Sequence, residues 1–245
     1  MAEFLLFRLY GPMAAWGDVA VGETRPSAAH PSKSAILGLV AAALGIRRDD
    51  EALHGRLHSG YGFGVRVDAA GELLRDYHTA QVPPQRRKVS HYTRRDELKG
   101  DGLYTILSSR DYRTDSCYTI ALWAQGDPPY GLNEIESALR QPRLTLYLGR
   151  KSCPLSLPLR PRLIDAQTLK AAFDQFGDDE AQWLAPLVQA NDLTHYYWEA
   201  LDEPRSGMAS SMRYQRRDSL RSRARWQYLE REERHFSEHR KEAIS

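Results

Sequence analysis

Two histidines four residues apart, His54 and His58, stand on a predicted helix, a spacing that would bring both imidazoles to one face for a metal. The residues between them are Gly55, Arg56 and Leu57, so the glutamate of a zinc hydrolase is missing and two surface histidines are the simpler reading. Gly60, Gly62 and Gly64 alternate inside a predicted strand, whereas a dinucleotide-binding turn needs GxGxxG running into a helix. They read instead as points of close backbone approach within a sheet. Cys117 and Cys153 have no CxxC pairing, which signals neither a zinc site nor a disulfide framework and fits a reducing, cytoplasmic compartment. With no Walker motif and no paired carboxylates, no catalytic residue, metal or cofactor is expected.

What remains are bases interleaved with aromatic, hydroxyl and glycine residues. Thr24-Arg25-Pro26-Ser27 and Pro31-Ser32-Lys33-Ser34 bracket the start of the first long predicted helix, where free N–H groups and the helix dipole favour a phosphate. Ser32 serves equally as a plain N-cap. In Tyr147-Leu148-Gly149-Arg150-Lys151-Ser152-Cys153-Pro154, the bare backbone at Gly149 would admit a sugar-phosphate chain that Arg150 and Lys151 neutralise; an ordinary tight turn fits the same residues. Arg75-Asp76-Tyr77-His78-Thr79 places alternate residues on alternate faces, so Tyr77 either stacks on a base or joins the core.

Charge sharpens this picture. The chain of 245 residues has a net charge of only +2, yet residues 86–99 carry +4 and residues 140–162 and 205–225 carry +6 each, leaving −14 on the rest. Such segregation suits a surface that meets a polyanion, or else three solvated loops. The length allows one principal domain with an appendage, and 42% hydrophobic residues can fill a core. No apolar run reaches the roughly 18 residues of a membrane span, and Met1 to Tyr10, with Glu3 and Arg8 around its apolar residues, reads as a first strand rather than a signal peptide.

These residues need elements to hold them. Phe4–Tyr10 predicts a strand ended by Gly11-Pro12, followed by a polar connection; Ile36, Leu37, Leu39, Val40 and Leu44 recur at helical spacing between Ser32 and Gly45. A short helix over about Asp49–His58, strands at Tyr61–Val67 and Leu73–Thr79, and strands at Tyr104–Ser108 and Tyr118–Ala124 lead into a helix over about Asn133–Arg140. The order predicts an α+β fold, a ferredoxin-like or RNA-recognition sheet with helices on one face. Gln81 to Gly102 lacks periodicity and reads as a long basic insertion. Residues 161–230 are expected as a small β-rich C-terminal subdomain after a 1–160 domain, with a helix at Ala166–Phe176 and strands at Leu193–Leu201 and Arg225–Glu230; residues 231–245 are expected as a charged, disordered tail.

The same segments carry a family likeness. Leu9-Tyr10-Gly11-Pro12-Met13-Ala14-Ala15-Trp16-Gly17, Thr24-Arg25-Pro26, Pro31-Ser32-Lys33-Ser34, the run from Leu37 to Asp50, Arg75 to Thr79, Ala121-Leu122-Trp123, Tyr147 to Pro154, Asp202-Glu203-Pro204 and Arg225-Trp226-Gln227-Tyr228 resemble, in order, CasD-type subunits of the type I-E CRISPR Cascade complex. The resemblance implies an RNA-binding scaffold subunit of the RAMP superfamily, with a ferredoxin-like domain, a thumb and a glycine-rich loop. It would grip the 5′ handle of the CRISPR RNA, cap a filament of backbone subunits beside a large subunit, and meet target DNA only indirectly. It implies RNA contacts at Arg25, Ser32, Lys33, Ser34, Arg143, Tyr147, Gly149, Arg150, Lys151 and Ser152, base stacking at Trp16, Tyr77 and His78, and a thumb over 81–102 bearing Arg86, Arg87 and Lys88. A competing reading, by likeness to type I-C relatives that cleave precursor RNA, is a metal-independent ribonuclease using His78, His91, Tyr92 and Lys99, although their spacing matches no motif. A protein-interaction module without RNA would leave the charge segregation unexplained.

Overall fold

The computed structural model describes residues 1–85, 89–176, 192–199, 201 and 203–240. In chain order these form β1 (Ala2–Tyr10), β2 (Met13–Ala14), β3 (Thr24–Arg25), α1 (Lys33–Leu44), α2 (Glu51–Gly60), β4 (Tyr61–Ala69), β5 (Glu72–Val82), α3 (Arg94–Glu97), β6 (Tyr104–Thr114), β7 (Cys117–Ala124) and α4 (Leu132–Arg140). There follow β8 (Arg162–Ala166), α5 (Leu169–Gln175), β9 (Leu193–Trp198), α6 (Glu203–Ser206), β10 (Met212–Ser222) and β11 (Gln227–His239). The architecture is α+β, built on antiparallel pairing. Seven strands make the main sheet in the order β10-β11-β9-β4-β7-β1-β8, and β2, β3, β5 and β6 make a second sheet centred on β6.

β1 explains why its sequence is apolar on both faces from Phe4 to Phe7 and again at Leu9. Leu5, Phe7 and Leu9 face a core completed by Ile36 and Val40 of α1, Leu57 of α2, and Ile135 and Leu139 of α4. Phe4 and Leu6 face the opposite side, where Leu169 and Phe173 of α5 pack with Trp123 and Trp198. Both faces of the sheet are therefore covered, where helices on one face were expected. Gly62 lies opposite Trp123, and a Cβ there would fall 1.9 Å from the indole, so the alternating glycines do mark close approach.

α1 begins and ends where the residues predict. Ser32 caps it by accepting from the Ala35 N–H at 3.2 Å, and Gly45, with φ 77°, closes it in the left-handed conformation. Among the described residues, no helix is long and apolar enough to cross a membrane.

Three expectations need correction. The boundary near residue 160 is not a break in the sheet, because β8 pairs with β1 and β9 pairs with β4. Residues 231–239 of the expected disordered tail are instead the greater part of β11, which lies between β9 and β10; residues 241–245 fall outside the described residues. β11 escapes an apolar-alternation reading because the side chains it buries include charged and imidazole groups, with Glu233 2% and His235 8% exposed. Finally, the insertion at 81–102 is the end of a longer hairpin. β5 and β6 pair from Glu72↔Thr114 to Val82↔Tyr104, eleven residues a side, which at about 3.3 Å per residue spans roughly 35 Å.

Candidate nucleic-acid interface

The loop from Leu146 to Pro154 is fixed before any ligand arrives. Tyr147 bridges to Pro154, the Leu148 N–H donates to the Cys153 carbonyl at 2.8 Å, and the Cys153 N–H donates to the Arg150 carbonyl at 2.9 Å. Leu146, Leu148 and Cys153 are buried beneath it. The Ala15 N–H donates to the Leu148 carbonyl at 3.0 Å, and Gly149, at φ 82°, lies so close that a Cβ would stand 1.9 Å from the Ala15 oxygen. The glycine is thus required by the protein's own backbone.

Arg150 then ties three segments together. Its guanidinium stacks over Tyr112 at 4.7 Å and donates to the carbonyls of Asp111 in β6 at 3.1 Å and Arg25 in β3 at 3.2 Å. The Asp111 carboxylate accepts two bonds from Arg75, at 2.8 and 3.1 Å. The Arg75 hydrogen bonds hold that carboxyl below the usual carboxylate range. Arg25 itself donates to the carbonyls of Gly22 at 2.6 Å and Thr24 at 3.0 Å, and pairs in register with Arg110. Arg25, Arg75, Arg110, Arg113, Arg150 and Lys151 therefore collect where β3, β5, β6 and the loop join, against Asp76 and Asp111. Neutral carbonyls hold the Arg25 and Arg150 guanidiniums in place without cancelling their charge, which suits phosphate contact, whereas Arg75 is paired with the Asp111 carboxylate.

Residues 4–234 match the family model described as CRISPR-associated protein (Cas_Cas5). The chain belongs to the Cas5 family. It is 39% identical over 210 residues to the CRISPR system Cascade subunit CasD of Escherichia coli (strain K12), covering 83% of this chain and 89% of that protein. Among solved structures, a chain of a CRISPR RNA-guided surveillance complex superposes with a TM-score of 0.61 at 23% identity, covering 96% of this chain and 89% of the other. A crystal structure of a Cas protein gives the same TM-score at 24% identity, covering 96% and 94%.

Within this Cas5 fold the expected contact residues separate into distinct environments. Arg25, Tyr147, Gly149, Arg150, Lys151 and Ser152 come together around the loop, with Lys151 and Ser152 exposed at its turn. Tyr77 stands on β5, 60% exposed, which decides between its two readings in favour of the surface. His78, on the next position and hence the other face, pairs with Asp76. Arg143 lies at the opposite, C-terminal end of α1 with its side chain against Gly45. Arg86, Arg87 and Lys88 fall outside the described residues.

Two candidates are corrected. Trp16 is 1% exposed and packs edge-on against Tyr118 with ring centroids 5.7 Å apart, so it is a core residue and not a base-stacking platform. Lys33 is 5% exposed and pairs with Glu199 at 2.5 Å. Burial pulls its ammonium pKa down while Glu199 beside it pulls the other way. The α1 N-terminus likewise already has its anion, because the Lys33 N–H donates to Asp218 Oδ2 at 2.9 Å and Arg231 holds that carboxylate with two bonds of 2.9 Å. Ser32 and Ser34 hydrogen-bond to each other at 3.1 Å beside this network. Of the alternative nuclease set, Lys99 pairs with Asp96 at 2.8 Å and His78 with Asp76, while Tyr92 is 91% exposed.

Arg110 and Arg113 were not found from the sequence. They lie on the second half of β6, beyond the Ser108 at which the strand was expected to end, and Arg110, Asp111, Tyr112 and Arg113 carry no apolar-polar alternation that would have extended it.

Proposed function

We propose that this chain is a non-catalytic CRISPR RNA-binding subunit of a Cascade-type surveillance complex, in which the Arg25–Arg150–Lys151 surface grips the 5′ handle of the guide and the chain caps a filament of backbone subunits. The observation that carries the proposal is the preformed cationic junction of loop, β3 and β6 in a chain so similar to CasD. Phosphates bind the guanidiniums and Lys151, while Tyr77 and Tyr147, both exposed, offer rings to splayed bases. The strand order β8-β1-β7-β4, with α1 and α4 in the crossovers, supports a ferredoxin-like core to which β9, β10 and β11 are added. The β5–β6 hairpin then serves as the thumb. Leu73, Leu74, Tyr104 and Ile106 are all largely exposed on it, which suits docking on a neighbouring backbone subunit. The two buried, unpaired cysteines accord with a cytoplasmic setting.

The test is co-expression with the other complex subunits and a repeat-spacer RNA. The chain should co-purify in a ribonucleoprotein. Arg25→Ala with Lys151→Ala should lower the slope of log affinity against log salt for handle RNA by about 1.4, at about 0.7 per single-strand phosphate contact. Full RNA retention with an unchanged slope would remove the reading.

A further inference from the structure

A small cavity lies where α1, α2 and β10 meet, and none of its residues belongs to the junction of loop, β3 and β6. Its volume is about 20 Å³, and its polar lining is Ser34 of α1, His54 and His58 of α2, and Arg223 just beyond β10. Leu37 and Gly38 of α1 and Leu220 of β10 complete the wall. A single water needs roughly 10–15 Å³, so the space admits one ligand of about that size and is too small for a phosphate or a nucleotide.

The polar groups around this cavity are mostly donors. The Leu220 N–H donates to His58 Nε2 at 3.1 Å, which leaves the proton of the neutral ring on Nδ1. His54 Nε2 lies 3.2 Å from the Arg47 carbonyl; a carbonyl only accepts, so Nε2 carries that ring's proton and Nδ1 is an acceptor. Burial pulls the pKa of both rings down, helped by the charge of Lys33 at His58 and of Arg223 at His54. Arg223 Nε is buried and has no hydrogen-bond partner among the described residues. The rest of that guanidinium donates to the Tyr228 hydroxyl at 2.9 Å and stacks over Trp226 at 4.7 Å, both neutral groups. Among the described residues no carboxylate stands within ion-pair distance of it. Ser34 adds a hydroxyl, whose proton is free when Ser32 donates the 3.1 Å bond between them. Three donors therefore surround the space against one ring acceptor. A water would leave one of its two protons without a partner, whereas an anion accepts from every donor and offsets the Arg223 charge.

We infer that Ser34, His58 and Arg223 form a seat for one monatomic anion, chloride or bromide, which ties the β10–β11 hairpin to α1 and α2. The test follows thermal unfolding of the full chain as sodium chloride replaces sodium gluconate at constant ionic strength, so that general screening stays fixed. The parent's midpoint should rise with chloride along a one-site curve, because a ligand held only by the folded protein stabilises it. Arg223→Gln should abolish the rise. Gly38→Leu is a second variant that keeps every polar group: a Cβ at Gly38 meets nothing within 4 Å, so the added side chain has room to fill the cavity. It too should abolish the rise, in a protein that still unfolds cooperatively. Crystals grown in sodium bromide should show an anomalous-scattering peak beside Arg223 Nε. A flat midpoint in the parent, a rise that persists in either variant, or density beside Arg223 without anomalous signal, which marks a water only, each overturns the inference.

Discussion

Gly149 and Ala15 meet backbone to backbone, with the site of a Cβ on the glycine 1.9 Å from the alanine oxygen. A side chain at 149 must therefore displace either the loop or the segment after β2. Gly149→Ala should cost at least about 2 kcal/mol, combining left-handed backbone strain with overpacking. Denaturant unfolding measures it, and an unaltered midpoint would show that the loop yields cheaply. Any loss of RNA retention should accompany this loss of stability rather than occur in a fully stable protein.

Lys33 and Glu199 form a buried pair with 6% and 7% of their side chains exposed. Lys33→Met alone should destabilise by up to about 3–5 kcal/mol because it leaves the buried Glu199 carboxylate to the longer Arg231 pair at 3.6 Å, whereas Lys33→Met with Glu199→Met should recover much of the loss. The salt slope of handle-RNA binding should not change in the double variant. A shallower slope would return Lys33 to the phosphate contacts.

Acid should weaken the fold in two steps. Burial, with Lys33 nearby, pushes His58 down from 6.5 to about 4, and its Nε2 accepts the Leu220 N–H at 3.1 Å, which only the neutral ring can do. The unfolded chain thus binds the proton first, and stability falls as pH drops from 6.5 towards 4. Burial alone would raise Glu233, but the His30 hydrogen bond and the charges of His30, Arg216 and Arg231 outweigh it and bring the carboxyl down to about 2. Its contribution is present above 4.5 and is lost as pH falls from there towards 2. Unfolding midpoints measured at successive pH values should show both declines, and His58→Gln should flatten the upper one. A His58→Gln protein with the parent's full slope between pH 6.5 and 4 would assign that decline to other groups.

Legibility in the sequence followed burial chemistry. β1 and α1 were readable because, apart from Arg8 and Lys33, the residues they bury are apolar, and Ser32 and Gly45 cap α1 locally. The full length of the β5–β6 hairpin was not, since most of β5 is exposed and no alternation marks its length. Around the candidate site, the loop at 147–154 was found from its residue types. The misassignment of Lys33 and Trp16 came from long-range partners, Glu199 and Tyr118, that no local pattern announces. Asp218 at the α1 N-terminus is a further case, lying 185 positions along the chain.

The buried carboxylates and guanidiniums of β10 and β11 also act as a lock on strand alignment. In an ordinary strand, apolar alternation penalises a one-residue slip by turning the oily side to water. Here Glu233 meets Arg231 at 2.8 Å and His30 at 3.3 Å, and Asp218 meets both Arg231 and the start of α1. A slipped hairpin would leave several of these charges desolvated and alone, a heavier penalty than a misplaced leucine. Such a key permits few single changes. Within this hairpin, drift in one of Asp218, Arg231 or Glu233 should be tolerated only where the others drift with it.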